Sequence, residues 1–328
     1  MTGYPSIAKI RSFVAVAEHG RFRTAAEALH LSQPALSAHI ADLEAELGVS
    51  LISRTTRSIR LTDDGERFLS RARRILSEIE SAVADMRDGA ALRRGRAVVA
   101  AIPTLAYHVL PTVLAEFVAR NPNIEVRIVE GNTARVQRAV ESGEADFGLC
   151  PELRHGLDLD FSPVVRDEFV ALVPADHPLS RRRRVGLADV ARYPLIATDA
   201  NTNMREQMVG ALAESGIDAR PVFEFSHHHT VAAMIAAGNG IAVMPSLVVA
   251  SLRQPDLRAV RMKEPRIYRS LGFVYRPGER LSPAARALLS DIVTAWHGAS
   301  GARAGNLGLG IGNTLTPAYE ASPLLSRG

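Results

Sequence analysis

Four side chains near the start of one short helical pattern are of types that can contact the edges of nucleic-acid bases. They are Gln33, Pro34, Ser37 and His39. A glutamine amide can pair with adenine through two hydrogen bonds, a serine hydroxyl can contact several base edges, and a proline ring can touch the methyl group of thymine. The same residue types also occur as plain capping and solvated residues, and their spacing alone leaves that alternative open.

The helix that carries these side chains has one apolar face. Its apolar positions are Leu36, Ile40, Leu43 and Leu47. Ser32 is expected to cap the helix, Pro34 fits its first turn, and Gly48 is expected to end it. Burial of the apolar face would leave the N-terminal end of the helix exposed, which is the end that helix-turn-helix proteins insert into the major groove.

Two further helical patterns precede this helix. Apolar residues from Ile7 to Ala17 share one face and predict a first helix that ends at Gly20. Thr24 and Glu27 are spaced as a capping box, which predicts a short second helix up to Leu29. Only two residues then remain before Ser32, so the second and third helices are expected to form a helix-turn-helix.

A basic segment follows the third helix. Residues 51–61 place Arg54 and Arg57 between the apolar residues Ile52 and Ile59, a pattern that predicts a two-stranded hairpin with a basic tip. Such arginines are expected to contact phosphate or a narrow minor groove. A solvated charge run is the alternative.

A long helix with a heptad seam is predicted next. The seam consists of Phe68, Ala72, Ile75, Ile79, Ala82 and Met86. Sustained spacing of three and four residues favours a coiled coil between two chains, and packing against the effector half of the same chain is the alternative. A dimer is expected on physical grounds, because one short recognition helix reads too few base pairs to locate an operator.

From Arg96 onwards strands alternate with helices. This pattern predicts an α/β fold with parallel sheets, with Pro103-Thr104 in a loop and a final helix over Ser282–Trp296 that returns to the first lobe. Thr104 and Thr133 follow two predicted strands, and Thr202, Asn203 and His227 follow two more. Ligands of open α/β sheets bind at such strand ends. Residues from Ser300 on are rich in small residues and predict a disordered tail.

Composition narrows the classes of function. The chain has 328 residues, of which 47% are hydrophobic, and a net charge of +4, which permits nucleic-acid binding. Its one cysteine, Cys150, excludes an internal disulfide and a multi-cysteine zinc site. Because no secretion signal or membrane span is visible, a cytoplasmic protein without membrane association is expected.

Catalytic and cofactor motifs are missing from the sequence. There is no GxxxxGK[ST], HExxH or GxSxG pattern. Three consecutive histidines begin at His227, but neighbouring side chains on a strand or loop point in different directions and do not converge on one ion. No enzyme activity, no metal and no cofactor are therefore expected, and the histidines are interpreted as a polar pocket wall.

The N-terminal residues resemble LysR-type transcriptional regulators. The similarity is carried by Phe13–Gly20, Leu31–Ser37, the run Leu43-Glu44-x-Glu46-Leu47-Gly48, Arg54–Arg57 and Leu61-Thr62-x-x-Gly65. In the second half, Gly143–Gly148 and Ala236–Pro245 are similar to family landmarks. Ala38 and His39 depart from residues common in relatives, and this puts the operator preference in doubt.

The resemblance implies a DNA-binding role and an effector-binding role. DNA contacts are implied for Thr24, Ser32, Gln33, Pro34, Ser37, His39, Arg54 and Arg57. Effector contacts are implied for Thr104, Thr133, Thr202, Asn203 and His227, in a two-lobed fold similar to periplasmic solute-binding proteins. Surface polar groups and helix caps remain the alternative for each of these five residues.

The predicted architecture is a winged helix-turn-helix domain over 1–61, a linker and dimerisation helix over 62–95, and an effector-binding α/β domain over 96–298. Lobe I is expected to comprise 96–165 and 268–298, lobe II 166–267, and the tail 299–328. The expected partners are double-stranded DNA, a small-molecule effector and further copies of the chain as a dimer or tetramer, with RNA polymerase as a further candidate. The alternative is a solute-binding or enzymatic α/β module with a helical extension that does not bind DNA.

Overall fold

A computed structural model describes residues 4–55, 58–87, 95–152, 158–199, 202–252, 254–263, 266–278, 280–302 and 315–317. The N-terminal domain consists of α1 (Ile7–His19), α2 (Phe22–Ala28), α3 (Gln33–Leu47) and a hairpin of β1 (Ile52–Thr55) and β2 (Ser58–Leu61). The predicted helix-turn-helix and wing are confirmed.

Apolar faces and caps explain these helices. Phe13, Leu36 and Ile40 are completely buried in one core, and each of these side chains contributes roughly 1.5–3 kcal/mol when buried. Gly20 and Gly48 end α1 and α3 in the left-handed conformation, with φ of 63° and 70°.

The predicted capping box at Thr24 is wrong. Helix α2 begins at Phe22, after Arg21, so Thr24 is already its third residue, and no side chain caps the helix. The turn before it brings the chain into helical geometry three residues earlier than the Thr24–Glu27 spacing suggests.

The linker helix α4 (Asp63–Arg87) is partly enclosed by its own domain. Ala72 is fully buried, and the Phe68 ring lies 5.4 Å from the Phe13 ring. These two predicted seam residues therefore lie in the core of their own chain and are not available to a partner, because the first turns of α4 pack on α1. Ile75 is 44% exposed and Val83 is 41% exposed, so the apolar surface of the described side chains lies farther along the helix.

The C-terminal half alternates strands and helices as predicted. Its first part contains β3 (Gly95–Ala101), α5 (Pro103–His108), α6 (Leu110–Arg120), β4 (Ile124–Glu130), α7 (Thr133–Glu141), β5 (Phe147–Pro151) and β6 (Asp160–Pro174). A 3-10 turn (Pro178–Arg181), β7 (Arg184–Val185), α8 (Leu187–Val190), β8 (Leu195–Thr198), α9 (Asn203–Glu214), β9 (Pro221–Phe225) and α10 (His228–Ala236) follow. The last elements are β10 (Ala242–Pro245), α11 (Ser246–Leu252), β11 (Leu257–Met262), β12 (Tyr268–Tyr275), α12 (Pro283–Ala302) and β13 (Leu315–Pro317).

The main sheet is mixed, and this corrects the expectation of purely parallel sheets. Its strand order is β4-β3-β5-β12-β6-β11-β7. Strand β3 pairs in parallel with β4 and β5, and β8 pairs in parallel with β9. Strand β6 pairs antiparallel with β10, β11 and β12, because β6 and β12 run in opposite directions through the middle of the domain.

Separate hydrophobic clusters lie at the two ends of this sheet. One cluster includes Phe117, Phe147 and Phe273, and Trp296 of α12 packs on it, which confirms that the last helix returns to the first part of the fold. The other end is built around β6, β8, β10 and β11. This arrangement matches the predicted two-lobed character.

Two predictions at loops and termini need correction. Pro103 and Thr104 are not in a loop but begin α5, since proline is tolerated in the first turn of a helix. Of the predicted tail, Ser300 lies within α12, and Leu315–Pro317 pairs with Val165–Asp167 of β6. Residues 303–314 and 318–328 lie outside the described residues. Among the described helices, none is long and apolar enough to cross a membrane.

Candidate DNA-binding and effector sites

The N-terminal end of α3 is presented to solvent. Gln33 and Pro34 are exposed and Ser37 is half-buried, whereas Leu36 is completely buried. The Ser32 hydroxyl accepts a hydrogen bond from the amide of Ala35 at 3.3 Å and so caps the helix as predicted. The helix therefore offers a glutamine amide, a proline ring and a serine hydroxyl from one end.

His39 is placed differently from the prediction. It is half-buried, and its Nδ1 lies 2.8 Å from the hydroxyl of Ser12, a buried residue of α1. The position lies close to the buried face of α3, one residue before Ile40, so the ring serves the contact between α1 and α3. The hydrogen bond occupies one ring nitrogen of His39 inside the domain, and its predicted contact with a base stays a prediction.

Two alanines extend the exposed face of α3. Ala38 and Ala41 are exposed and continue the helical spacing from Pro34. Small side chains permit close approach of the helix to a groove, and an alanine methyl can contact a thymine methyl. The prediction did not include either alanine among the base contacts, although the same spacing would have identified both positions.

Two acidic residues on the second half of α3 share one lysine partner within the domain. Lys9 of α1 lies 3.2 Å from the carboxylate of Asp42 and 2.7 Å from that of Glu46. The hydrogen bond with Glu46 raises the pKa of Lys9, with a smaller contribution from Asp42. Part of the negative charge of α3 is thus compensated, which reduces its repulsion of DNA phosphates.

The wing is attached to α3 by one carboxylate. Glu44 accepts hydrogen bonds from the amides of Leu51 at 2.7 Å and Ile52 at 3.0 Å, and Ile52 then pairs with Leu61 across the hairpin. Arg54 lies on β1, and Arg57 lies outside the described residues.

Further exposed groups lie on the N-terminal domain. Arg60 of β2 is exposed, as are Arg21, Arg23 and Thr24 around the start of α2. The predicted DNA contacts included Thr24 but not these three arginines, although Arg60 lies in the predicted basic hairpin.

The predicted effector residues all follow the carboxyl ends of parallel strands. Thr104 is the second residue of α5 after β3 and is 6% exposed, and Thr133 is the first residue of α7 after β4. In the second lobe, Thr202 precedes α9 after β8, and His227 precedes α10 after β9 and is exposed. Thr104 and Thr133 therefore lie at the ends of the neighbouring strands β3 and β4, and Thr202 and His227 lie at the ends of the neighbouring strands β8 and β9.

Thr202 has a structural role as well. Its hydroxyl caps α9 by accepting from the amide of Arg205 at 3.3 Å, lies 2.8 Å from the Thr198 hydroxyl, and donates to the carbonyl of Asp199 at 3.0 Å. Asn203 is the first residue of α9, and its side chain lies outside what the structure describes. Thr202 is therefore a helix cap, which is the alternative that the sequence analysis left open for it.

A buried ionic cluster that the sequence reasoning missed joins the two lobes. The carboxylate of Asp167 accepts from the hydroxyl of Ser246 at 2.8 Å, the amide of Leu247 at 3.1 Å and Nε of Arg269 at 2.9 Å. Burial lowers the pKa of the nearby His228 to about 4, helped by the charges of His229, His227 and Arg269. The cluster fixes α11 to the central strands β6 and β12.

Metal and thiol chemistry find little support among the described residues. No group of three histidine, cysteine, aspartate or glutamate side chains there is placed to hold a metal ion. Cys150 is a free, buried thiol on β5, and burial raises its pKa to about 12.

Comparison with known protein families defines the class of protein. The bacterial regulatory helix-turn-helix family of the lysR type matches residues 7–66, and the LysR substrate binding domain matches residues 90–296. The chain belongs to the LysR family of DNA-binding transcriptional regulators, with an effector-binding domain behind the helix-turn-helix.

Individual relatives show the same organisation. The chain is 31% identical over 290 residues to the HTH-type transcriptional regulator YbhD of Escherichia coli, covering 88% of this chain and 92% of that protein. It is also 31% identical to the transcriptional dual regulator OxyR of Escherichia coli, covering 86% of this chain and 95% of that protein.

Solved structures share the fold. A full-length OxyR variant from Pseudomonas aeruginosa matches with a TM-score of 0.77 and 23% identity, covering 98% of this chain and 100% of that one. Full-length CbnR in complex with its target DNA matches with a TM-score of 0.62 and 23% identity, covering 88% and 99%.

Proposed function

We propose that this regulator binds its operator as a dimer, or as a pair of dimers, with α3 of each subunit in the major groove. Gln33, Pro34 and Ser37 would contact base edges, and arginines of the wing and of α2 would contact phosphates. The exposed N-terminal end of α3 above a completely buried Leu36 carries this proposal, because the helix is held firmly while its reading side chains are free.

Operator binding can be measured by fluorescence anisotropy on two duplexes of equal length, one from the promoter upstream of this gene and one of random sequence. Gln33→Ala should lower the affinity for the promoter duplex by roughly 5- to 150-fold, the equivalent of losing a contact worth about 1–3 kcal/mol, and should leave the random duplex unchanged. Arg60→Gln should weaken both duplexes and reduce the salt slope by about one.

Arg220→Gln is the matched control, since this arginine is exposed in the second lobe, with a side chain that is 89% accessible. Equal affinity of the unaltered protein for both duplexes would contradict the proposal. It would favour the solute-binding or enzymatic alternative, which also predicts that removing residues 1–60 has no effect on function.

We further propose that a small polar molecule binds between the lobes and shifts the arrangement of the subunits on DNA. Hydroxyl groups of Thr104 and Thr133 and the imidazole of His227, at the ends of strands in both lobes, support this placement. The effector can shift the equilibrium between the two arrangements only if it binds one of them more tightly than the other. RNA polymerase is the partner through which such a shift would change transcription.

Ligand binding can be tested with a thermal-shift screen of organic acids and polyols on the whole chain. A compound that raises the melting temperature should lose most of its effect in Thr133→Val and keep it in Thr112→Val, an exposed threonine of α6. Footprints that do not change with any stabilising compound would refute the switch.

Several relatives are named hydrogen peroxide-inducible genes activators, but this chain is not suited to thiol sensing. Its single cysteine, Cys150, is completely buried, and burial raises its pKa to about 12, which disfavours the reactive thiolate at neutral pH. We expect a thiol reagent to react with no cysteine in the native protein and with one after unfolding in urea. Rapid reaction of the native protein would contradict this.

A further inference from the structure

A short turn of the effector domain lies directly against the linker helix. The turn spans residues 142–146, between α7 and β5. Gly143 is in the left-handed conformation with a φ of +71°, and a Cβ atom added to it would lie 3.2 Å from Cγ of Arg74 and 3.6 Å from Cβ of Arg73. The backbone of the turn therefore lies against α4 at Arg73 and Arg74, about three turns into the helix.

The turn is tightly fixed to its own domain. Glu144 forms two hydrogen bonds with the guanidinium of Arg135 on α7, at 2.6 and 2.7 Å. Buried Arg276 donates to the carbonyl oxygens of Val140 and, at 3.0 Å, of Ala145. Asp146 accepts from the amide of Val98 on β3 at 2.7 Å. A movement of this part of the domain must therefore carry the turn with it.

The other side of the contact is fixed to the DNA-binding domain. Arg73 lies 3.4 Å from the carboxylate of Glu18 on α1, and its neighbour Ala72 is completely buried in the core of that domain. Arg73 also faces the turn: the hydrogen bond from Arg135 lowers the pKa of Glu144, and the charge of Arg73 adds to that effect. Arg73 is thus paired with a carboxylate of the DNA-binding domain, and its charge also acts on a carboxylate of the effector domain.

The contact is narrow. Two clefts of about 500 and 710 Å³ border it, and Arg73 and Glu144 line both of them. The clefts separate the domains on either side of the turn, and the start of α12, which lines the smaller cleft, forms a second contact with α4. Such a junction can open at a modest cost in free energy.

We infer that the 142–146 turn is a docking element that couples the effector domain to the DNA-binding domain, with Arg73 and Glu144 as positioning residues. Helix α7 begins at Thr133, a proposed effector contact, and ends at this turn, so one rigid helix about 13 Å long joins the two sites. The regulatory consequence rests on the proposed function, whereas the docking contact itself does not.

Two glycine variants test the contact. Gly143 and Gly216 both follow a helix in the left-handed conformation, with φ of +71° and +67°, but Gly216 has no atom near its added Cβ. Alanine at either position brings the same backbone strain. In hydrogen–deuterium exchange on the full chain, Gly143→Ala should speed exchange in α4, and Gly216→Ala should not.

Charge variants test the positioning residues. Arg73→Gln removes the ion pair with Glu18, and Glu144→Gln removes the ion pair with Arg135. Each variant should raise exchange of the 142–146 turn or of α4 by about fivefold, because local opening becomes easier when the two sides of the contact are held less firmly. Arg182→Gln is the control, because the ion pair of Arg182 with Asp189 lies in the second lobe, away from α4 and from the proposed DNA contacts.

Equal exchange in α4 for both glycine variants, or unchanged exchange in Arg73→Gln, would overturn the docking contact. Operator affinity measured on the same samples separates the two proposals. If these variants show the expected faster exchange but the unaltered protein does not prefer the promoter duplex, the docking element is supported and the proposed function is refuted.

Discussion

Gly65 shows how one residue sets the path of the chain from the wing into α4. The Thr62 hydroxyl accepts a hydrogen bond from the amide of Gly65 at 3.0 Å and donates to the carbonyl of Ser50 at 2.6 Å. The start of α4 is therefore held against the segment that follows α3. A Cβ atom at Gly65 would lie 2.1 Å from the carbonyl oxygen of Leu51. Glycine is required there by close approach and not by an unusual φ.

Gly65→Ala is therefore expected to destabilise the DNA-binding domain by about 1–3 kcal/mol, the cost typical of forcing extra atoms into a packed site. The midpoint of urea unfolding, followed by circular dichroism, measures the effect. Gly210→Ala is the control: this glycine lies inside α9 with open space around its added Cβ, so alanine should stabilise by roughly 0.5–1 kcal/mol. An unchanged midpoint for Gly65→Ala would show that α4 can shift away.

His228 makes the stability of the effector domain depend on pH. Burial lowers its pKa from 6.5 to about 4, so the folded protein binds fewer protons than the unfolded chain between these values. The free energy of unfolding is therefore not reduced by His228 above about pH 6.5, and it decreases as the pH falls from 6.5 towards 4 because the buried ring must then be protonated.

His228→Gln should remove about 1–2 kcal/mol of this pH dependence, a value discounted for partial exposure of the ring. Thermal unfolding in buffers between pH 4 and 7 provides the measurement, with His19→Gln, an exposed residue at the end of α1, as the control. A pH profile that is the same for His228→Gln and the unaltered protein would contradict the assignment.

Among the elements, helix α4 has two halves with different roles. Its first half closes the core of its own domain through Phe68 and Ala72, and its second half exposes Ile75 and Val83. Heptad spacing gives the same pattern for both tasks, because an apolar stripe is required whether the neighbour belongs to the same chain or to another.

Ile75→Ser and Val83→Ser together should shift the chain from dimer to monomer in sedimentation equilibrium, because they remove the apolar surface that a second α4 would cover. Arg71→Ser is the matched control, an exposed position one turn before Ile75. If the doubly substituted chain remained dimeric, the subunits would associate through a surface other than α4.

The sequence predicted elements with long, regular patterns well and missed details decided by neighbours in space. Helix α3 and strands β4 and β8 have the bounds expected from their apolar spacing and caps. The six-residue α5 was missed because its first residue is proline, and His39 was misplaced because its partner, Ser12, lies 27 residues away. The Asp167–Arg269 pair spans 102 residues, a separation that no local pattern reveals.

The whole molecule places its proposed functions at two distant sites. Base-reading side chains project from α3, whereas the proposed effector residues lie at strand ends in both lobes, and the 142–146 turn lies against α4 between them. A regulator of this kind needs both the coupling within one chain and the pairing of two chains. The two requirements involve different residues of α4, so they can be tested separately.

Pairing through α4 should appear in the salt dependence of DNA binding. A dimer neutralises twice as many phosphates as one subunit, and each neutralised phosphate contributes about 0.9 to the slope of log affinity against log salt concentration. The chain with Ile75→Ser and Val83→Ser should therefore bind promoter DNA with roughly half the slope of the unaltered protein and with much lower affinity. Arg73→Gln, which leaves Ile75 and Val83 intact, should retain the full slope. A full slope in the doubly substituted chain, at concentrations where sedimentation shows a monomer, would mean that one subunit makes all the phosphate contacts and that α4 pairing is not needed for DNA binding.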